Sequence, residues 1–281
     1  MATNNNHSTV EEFLSWSTGV LTKANILTAR LDSLILLEDA LDIDRAHLLA
    51  HPELNLSSSQ LRTLETLVEQ RKHHIPLAYL RGKVLFYGHS FYVNQGTLIP
   101  RPESEDIITL LIEHYSANKN ETTVADIGTG SGCLGLTAAL EVPNCRVDLY
   151  DIDSKALSTA RRNARYLKIP ASFFKEDLLL KARHRKYDVI LANLPYVPSN
   201  YNVSLDVTFE PRLALFAGTD GLDLYHSFWR QLGDFITKPT CVITESFPET
   251  QHEQLILLAD NAGYTLLETR GFIQLFTLTS Q

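Results

Sequence analysis

The stretch TTVADIGTGSGCLGLTAALEVPNCRVDLYDID, from Thr122 to Asp153, decides the architecture because its hydrophobic period changes twice. TTVADIG reads as a strand entering a turn, CLGLTAALEV as a helix and CRVDLYDID as a second strand. The alternation continues on both sides. EDIITLLIEHYS precedes it as a helix, SKALSTARRNARYL follows as a helix, and KYDVILANLPY reads as a strand with its terminal loop. TCVITESF, HEQLILLADNAG and GFIQLFTLTS extend the pattern. Such alternation predicts an α/β domain with right-handed crossovers around a mostly parallel sheet, and a site at the strands' C-terminal ends.

Upstream the period is helical throughout. VEEFLSWSTGVLTKA, TARLDSLILLEDAL and SSSQLRTLETLVEQRKHH are amphipathic runs that predict a small bundle over residues 1–75. Ser59 with Arg62 three residues later is not a capping box, so the third run's start is set only approximately. Ile75-Pro76-Leu77 and VLFYGHSFYVNQG then shift to short alternating segments. This predicts a connector or hairpin over 76–100 and the larger domain over 101–281.

Composition narrows the function class. The 281 residues are 44% hydrophobic, yet the longest apolar runs are too short and too interrupted to suggest a membrane span. MATNNNHSTVEEF shows no basic segment leading into an apolar one, so export has no support. Cys133, Cys145 and Cys241 form neither a disulfide framework nor a metal pattern, and a reducing, cytoplasmic setting is expected. The ten histidines show no HxxxH or Cys/His cluster, so no metal is expected. A net charge of -8 argues against a large nonspecific nucleic-acid surface. Arg161, Arg162, Arg165, Lys168, Lys175, Lys181, Arg183, Arg185 and Lys186 run against that average; a solvated face is the ordinary account and an RNA-bearing partner the alternative.

DIGTGSG, Asp126 to Gly132, resembles a phosphate or cofactor cradle at a strand-to-helix turn. Gly130, Gly132 and Gly135 also satisfy GxGxxG with Asp151 downstream, so a dinucleotide remains open on glycine spacing alone. Asp126, Asp151 and Asp177 recur near successive strand ends, where an α/β fold brings them to one crevice. Asp151 suits two ribose hydroxyls; Asp177 suits a base amino group, with Leu178 over one ring face. Each aspartate alone would also serve as a helix cap.

Asn193-Leu194-Pro195-Tyr196 separates the chemistries. Hydride transfer has no specific need for such a corner, whereas a nitrogen methyltransferase uses each part of it. The Asn193 side-chain oxygen and the Leu194 carbonyl can both accept from an NH₂ group. Pro195 restricts the preceding residue, and Tyr196 offers a flat wall for a planar amide or base.

Taken together, IPRPESE (Ile99 to Glu105), ADIGTGSG (Ala125 to Gly132), ANLPYV (Ala192 to Val197) and FEPRLALFAGTDGLDLY (Phe209 to Tyr225) resemble the signature of peptide-chain release-factor glutamine N5-methyltransferases. The resemblance implies a class I S-adenosylmethionine-dependent methyltransferase domain, Rossmann-like, behind a small helical bundle that recognises the substrate. It implies methylation of the glutamine in the GGQ motif of class 1 release factors, with S-adenosyl-L-homocysteine as product. It assigns the cofactor to Asp126, Gly128, Thr129, Gly130, Ser131, Gly132, Asp151, Asp177, Leu178 and Asn193. Asn193 to Tyr196 fall on the family's NPPY substrate motif, with Leu194 in place of its first proline. Arg101, Glu103, Glu210 and Arg212 are implied to organise the connector or position substrate. NLPY also matches ribosomal-RNA adenine dimethyltransferases, so adenine N6-methylation of RNA is the second reading and a binding protein without turnover the third. ESFPETQ and ETRGFIQLF depart from the family's glycine-rich and basic endings.

Overall fold

The computed structural model describes residues 7–116, 120–180 and 182–279. Residues 1–6 of the expected bundle and Lys181 of the basic run lie outside the described residues. The chain forms two compact units, Met1–Gly82 with Ser204–Phe209, and Lys83–Val203 with Glu210–Gln281.

The first unit contains α1 (Val10–Lys23), α2 (Ala29–Leu41), α3 (Arg45–Ala50), α4 (Ser58–Lys72) and α5 (Leu77–Arg81). Two reciprocal caps start its long helices: Thr9 with Glu12 on α1 and Ser57 with Gln60 on α4. The α4 cap therefore lies two residues before Ser59. Phe13, Leu21, Leu36, Leu37, Leu48, Leu64 and Val68 close the core at 0–1% exposure. Each such side chain contributes about 1.5–3 kcal/mol of transfer free energy. A charged pair sits inside: the buried Arg71 bridges the buried Asp32 at 2.6 Å and Asp206 at 2.7 Å, and His74 reaches Asp206 at 2.9 Å. These pairs explain why Ser204–Phe209 belongs to this unit despite its distance in sequence.

The connector expected over 76–100 divides. Leu77–Arg81 is helical, because Pro76 precedes the first turn with no N–H to lose. β1 (Lys83–Phe86) and β2 (His89–Tyr92) form the hairpin, turning through Tyr87 and Gly88, both at positive φ as a tight two-residue turn requires.

The rest of the second unit is α6 (Glu105–Tyr115), β3 (Thr122–Ile127), α7 (Cys133–Glu141), β4 (Cys145–Asp151), α8 (Ser154–Leu167), β5 (Ala171–Lys175), β6 (Val189–Ala192), α9 (Asp223–Gly233), β7 (Cys241–Glu245), α10 (Pro248–Asn261), β8 (Tyr264–Arg270) and β9 (Ile273–Leu278). The seven strands run in the order β5-β4-β3-β6-β7-β9-β8; pairing is parallel from β5 through β7, and β9 is antiparallel to both neighbours. One apolar cluster gathers Tyr225, Trp229, Tyr264 and Phe276 with Ile190 and Val242; another gathers Ile107, Leu111, Leu136 and Leu149 with Val189 and Leu191. Alternate residues of β6 enter opposite clusters, as a strand covered on both faces must. The order reverses between β3 and β6, the switch point where an open α/β sheet leaves a crevice. Among the described residues no helix is long and apolar enough to cross a membrane.

Candidate active site

A cleft of roughly 840 Å³, counted out to its open mouth, lies at this switch point. Its walls include Gly128 and Gly130 after β3, Asp151 at the end of β4, Asp177 and Leu178 after β5, and Asn193 to Pro195 after β6. Gly96, Thr97 and Leu98 add a wall from the segment after the hairpin. Asp151 Oδ2 accepts from the Gly130 N–H at 2.9 Å and Oδ1 from the Asp153 N–H at 2.8 Å, which fixes the carboxylate in the cleft. Burial raises its pKa against these two bonds. Leu178 is held at φ 53°, a left-handed conformation rare for a leucine, so its side chain is placed at some cost in backbone energy.

Asp126, Thr129, Ser131 and Gly132 do not line this cleft; all are buried. Asp126 Oδ2 accepts from Thr129 Oγ1 at 2.5 Å and from the Gly135 N–H at 2.9 Å, tying the loop to the first turn of α7. Its Oδ1 has no partner among the described residues, and burial pushes the carboxyl up to about 6. These residues shape the loop, and Gly128 and Gly130 present it.

The corner after β6 is held from four directions. Asn193 Nδ2 donates to Ser104 Oγ at 3.0 Å and to Glu245 Oε2 at 2.8 Å. Both amide hydrogens are thereby used and Oδ1 remains as an acceptor. The Tyr196 hydroxyl donates to Glu245 Oε1 at 2.8 Å, and its ring meets Phe247 edge to face. The Tyr225 hydroxyl lies 2.9 Å from the Ala192 carbonyl and 2.6 Å from that of Glu245, linking the ends of β6 and β7. Gln251 Nε2 donates to the Tyr196 carbonyl at 2.7 Å and to that of Asp220 at 2.8 Å. Among the described residues nothing donates to the Leu194 carbonyl.

Glu245, Ser104, Tyr225 and Gln251 are additions to the residues singled out from sequence. Glu245 had a visible signal. It ends the run TCVITE as Asp151 ends the strand of its own segment, and the pairing of Ala192 with Thr244 sets Glu245 beside Asn193. The IPRPESE and FEPR motifs meet through Glu210, which is 5% exposed, pairs with Arg101 at 2.5 Å and accepts from the Ile99 N–H at 2.9 Å. Arg212 stacks on Phe216 with 4.6 Å to the ring centroid, and Glu103 is exposed. None of Arg101, Glu103, Glu210 and Arg212 lines the cleft.

Comparison with known proteins gives this geometry a family. A release factor glutamine methyltransferase of Bacillus cereus is 35% identical over 220 residues, covering 75% of this chain and 77% of that protein. One of Coxiella burnetii is 32% identical over 244 residues, covering 86% and 87%. The chain belongs to the release factor glutamine methyltransferase family. Family models described as PrmC N-terminal domain and Methyltransferase small domain match residues 12–82 and 106–210. Among solved structures, the T. thermophilus 16S rRNA N2 G1207 methyltransferase in complex with AdoMet and guanosine aligns at a TM-score of 0.52 and 18% identity, over 70% of this chain and 50% of that one. That likeness is one of fold, the class I methyltransferase sheet with helices on both faces.

Proposed function

We propose that the chain methylates the side-chain amide nitrogen of the GGQ glutamine in a class 1 peptide-chain release factor, using S-adenosylmethionine. The observation that carries this reading is the Asn193 amide, turned by Ser104 and Glu245 so that Oδ1 is left to accept beside the Leu194 carbonyl. Two such acceptors match the two N–H bonds of a primary amide. An amide nitrogen is a poor nucleophile because its lone pair is delocalised into the carbonyl. Holding both N–H bonds at fixed acceptors orients the nitrogen and favours the positive charge that grows on it. No side-chain nucleophile is required.

The cleft's donor and acceptor set fits an adenosylated cofactor. Asp151 has lone pairs left for ribose hydroxyls, while Asp177 with Leu178 and Ile152 suits a planar base bearing an amino group. When bound, S-adenosylmethionine supplies an electrophilic methyl group and departs as S-adenosylhomocysteine. Asp126 and its loop partners act through the loop's shape, and the Arg101–Glu210 pair through the connector. The first unit is the docking surface for the folded factor, which needs more area than the corner after β6 offers.

The purified chain with labelled S-adenosylmethionine, offered an intact release factor, a short GGQ peptide and a structured RNA, tests this. Label on the GGQ glutamine is expected, with higher kcat/KM for the intact factor than for the peptide. Label in the RNA alone would replace the reading with adenine methylation, and equal efficiency on factor and peptide would remove the docking role.

A further inference from the structure

Glu245 is 1% exposed at the end of β7, and its carboxylate receives three groups: Ser104 Oγ at 2.6 Å and Asn193 Nδ2 at 2.8 Å on Oε2, and the Tyr196 hydroxyl at 2.8 Å on Oε1. A buried carboxylate beside the reacting corner, with no exposure that would make it a solubility device, calls for a role. We propose that ionised Glu245 is a positioning residue for methyl transfer, holding the Asn193 carboxamide with Oδ1 toward the acceptor nitrogen and increasing the negative charge on that oxygen. The proposal rests on the reading of Asn193 given above and names what enforces it.

The direction of the network makes the argument. Ser104 has one hydroxyl hydrogen, and donating it to Glu245 leaves its lone pairs to face Asn193 Nδ2 at 3.0 Å. A flipped Asn193 amide would set Oδ1 against Oε2, acceptor against acceptor, in a site that water cannot relieve. The orientation needed for substrate is therefore the one the carboxylate enforces. A full negative charge at Nδ2 also polarises the amide, so electron density shifts to Oδ1, where the N–H bonds of the reacting nitrogen arrive. Tyr196 is tied to the same carboxylate, so the ring wall and the acceptor are set by one group.

Ionisation of Glu245 should then be visible in turnover. Burial raises its pKa, the Ser104 and Tyr196 bonds and the Arg101 charge oppose the rise, and the Glu103 charge adds to it. The other titratable groups that feel it are Tyr196 and Tyr225, and Cys133 at the start of α7. The competent form exists above the folded pKa, so kcat at saturating substrates falls as pH falls through that value.

The test uses the full chain bound to S-adenosylhomocysteine. The Asn193 side-chain amide is followed by ¹⁵N NMR against pH and assigned by its absence in Asn193→Ala. In the native chain its signals should move with one ionisation above the usual carboxylate range, and in Glu245→Gln they should stay still. Signals that do not move in the native chain, or that move alike in both, overturn the proposal. This readout needs no methyl acceptor, so it stands or falls separately from the glutamine assignment. In turnover, Glu245→Gln should lower kcat about tenfold, the scale of one charge-assisted hydrogen bond, leave the KM for S-adenosylmethionine unchanged and lose the acidic limb. If Glu245→Gln fails to fold, Ser104→Ala carries the test. Loss of one donor to the carboxylate should move the acidic limb to higher pH, and an unmoved limb refutes the role.

Discussion

In the proposed reaction one carboxamide, that of Asn193, meets the substrate, and its bonds to Ser104 and Glu245 decide how substitutions behave. Asn193→Ala removes the acceptor but leaves Gly128, Gly130 and Asp151 in the cleft wall. Methyl transfer should fall by about 10²-fold or more, the scale of one lost oriented interaction, while calorimetric affinity for S-adenosylhomocysteine stays within a few fold. Near-normal turnover at saturating substrate would end the catalytic assignment. From sequence, aspartate at this position is chemically ambiguous, since it could accept the same bonds. The structure resolves that ambiguity, because Asn193→Asp would set a second carboxylate against Glu245 Oε2, where the amide now sits at 2.8 Å. Two carboxylates ionised that close to one another repel, so wherever both are charged the aspartate variant should be at least as impaired as the alanine one. It should recover partially as pH is lowered, the reverse of the native trend.

Among the elements, the loop GTDGLD before α9 is where geometry leaves least freedom. Gly221 has φ 81°, and a Cβ there would lie 2.1 Å from the Tyr196 carbonyl oxygen and 2.5 Å from Gln251 Nε2. Gly221→Ala must push the loop off the corner and break the Gln251 bridge. A loss of roughly 1–3 kcal/mol for the backbone strain is expected, together with a drop in kcat. Chemical denaturation with single-turnover assays checks both; an unchanged unfolding midpoint would show that the loop yields without cost. The alternating period from Glu105 onward made most strands and helices of this unit readable, since each element buries apolar residues at its own spacing. Several features escaped, β5 (Ala171–Lys175) and α9 (Asp223–Gly233) among them. β8 shows a buried residue only at Tyr264, with intermediate and exposed positions beyond it, so YTLLETR carries no continuous apolar signal. The α4 cap sits at Ser57 because its hydroxyl and Gln60 satisfy each other's backbone, a match that a serine-rich run conceals. Strand order rests on contacts distant in sequence, so Glu245 could be read as a strand-end acid but not as the neighbour of Asn193. The basic run was legible as charge, yet three of its arginines lie over rings, Arg161 on Phe173, Arg162 on Tyr92 and Arg185 on Phe174, a packing role that composition does not show.

Across the whole molecule, local and distant contacts are unevenly shared between the units. The first unit is built from consecutive helices and completed by Ser204–Phe209. The second has its most delayed contact one strand in from the edge of its sheet: β9 lies between β7 and β8, bonded to both. β8 therefore reaches the sheet only through a strand that follows it in the chain. During synthesis β7 must wait on the ribosome with one edge unpaired until Ile273–Leu278 emerges, whatever residues come after. Nascent chains arrested before Ile273 should remain protease-sensitive in this unit and fail to retain S-adenosylhomocysteine; retention without β9 would show that the cleft forms from the parallel strands alone. A chain whose family acts on the factors that end translation thus cannot complete its own sheet until its own translation has passed residue 278, and until then the half-made sheet needs protection from its neighbours on a polysome.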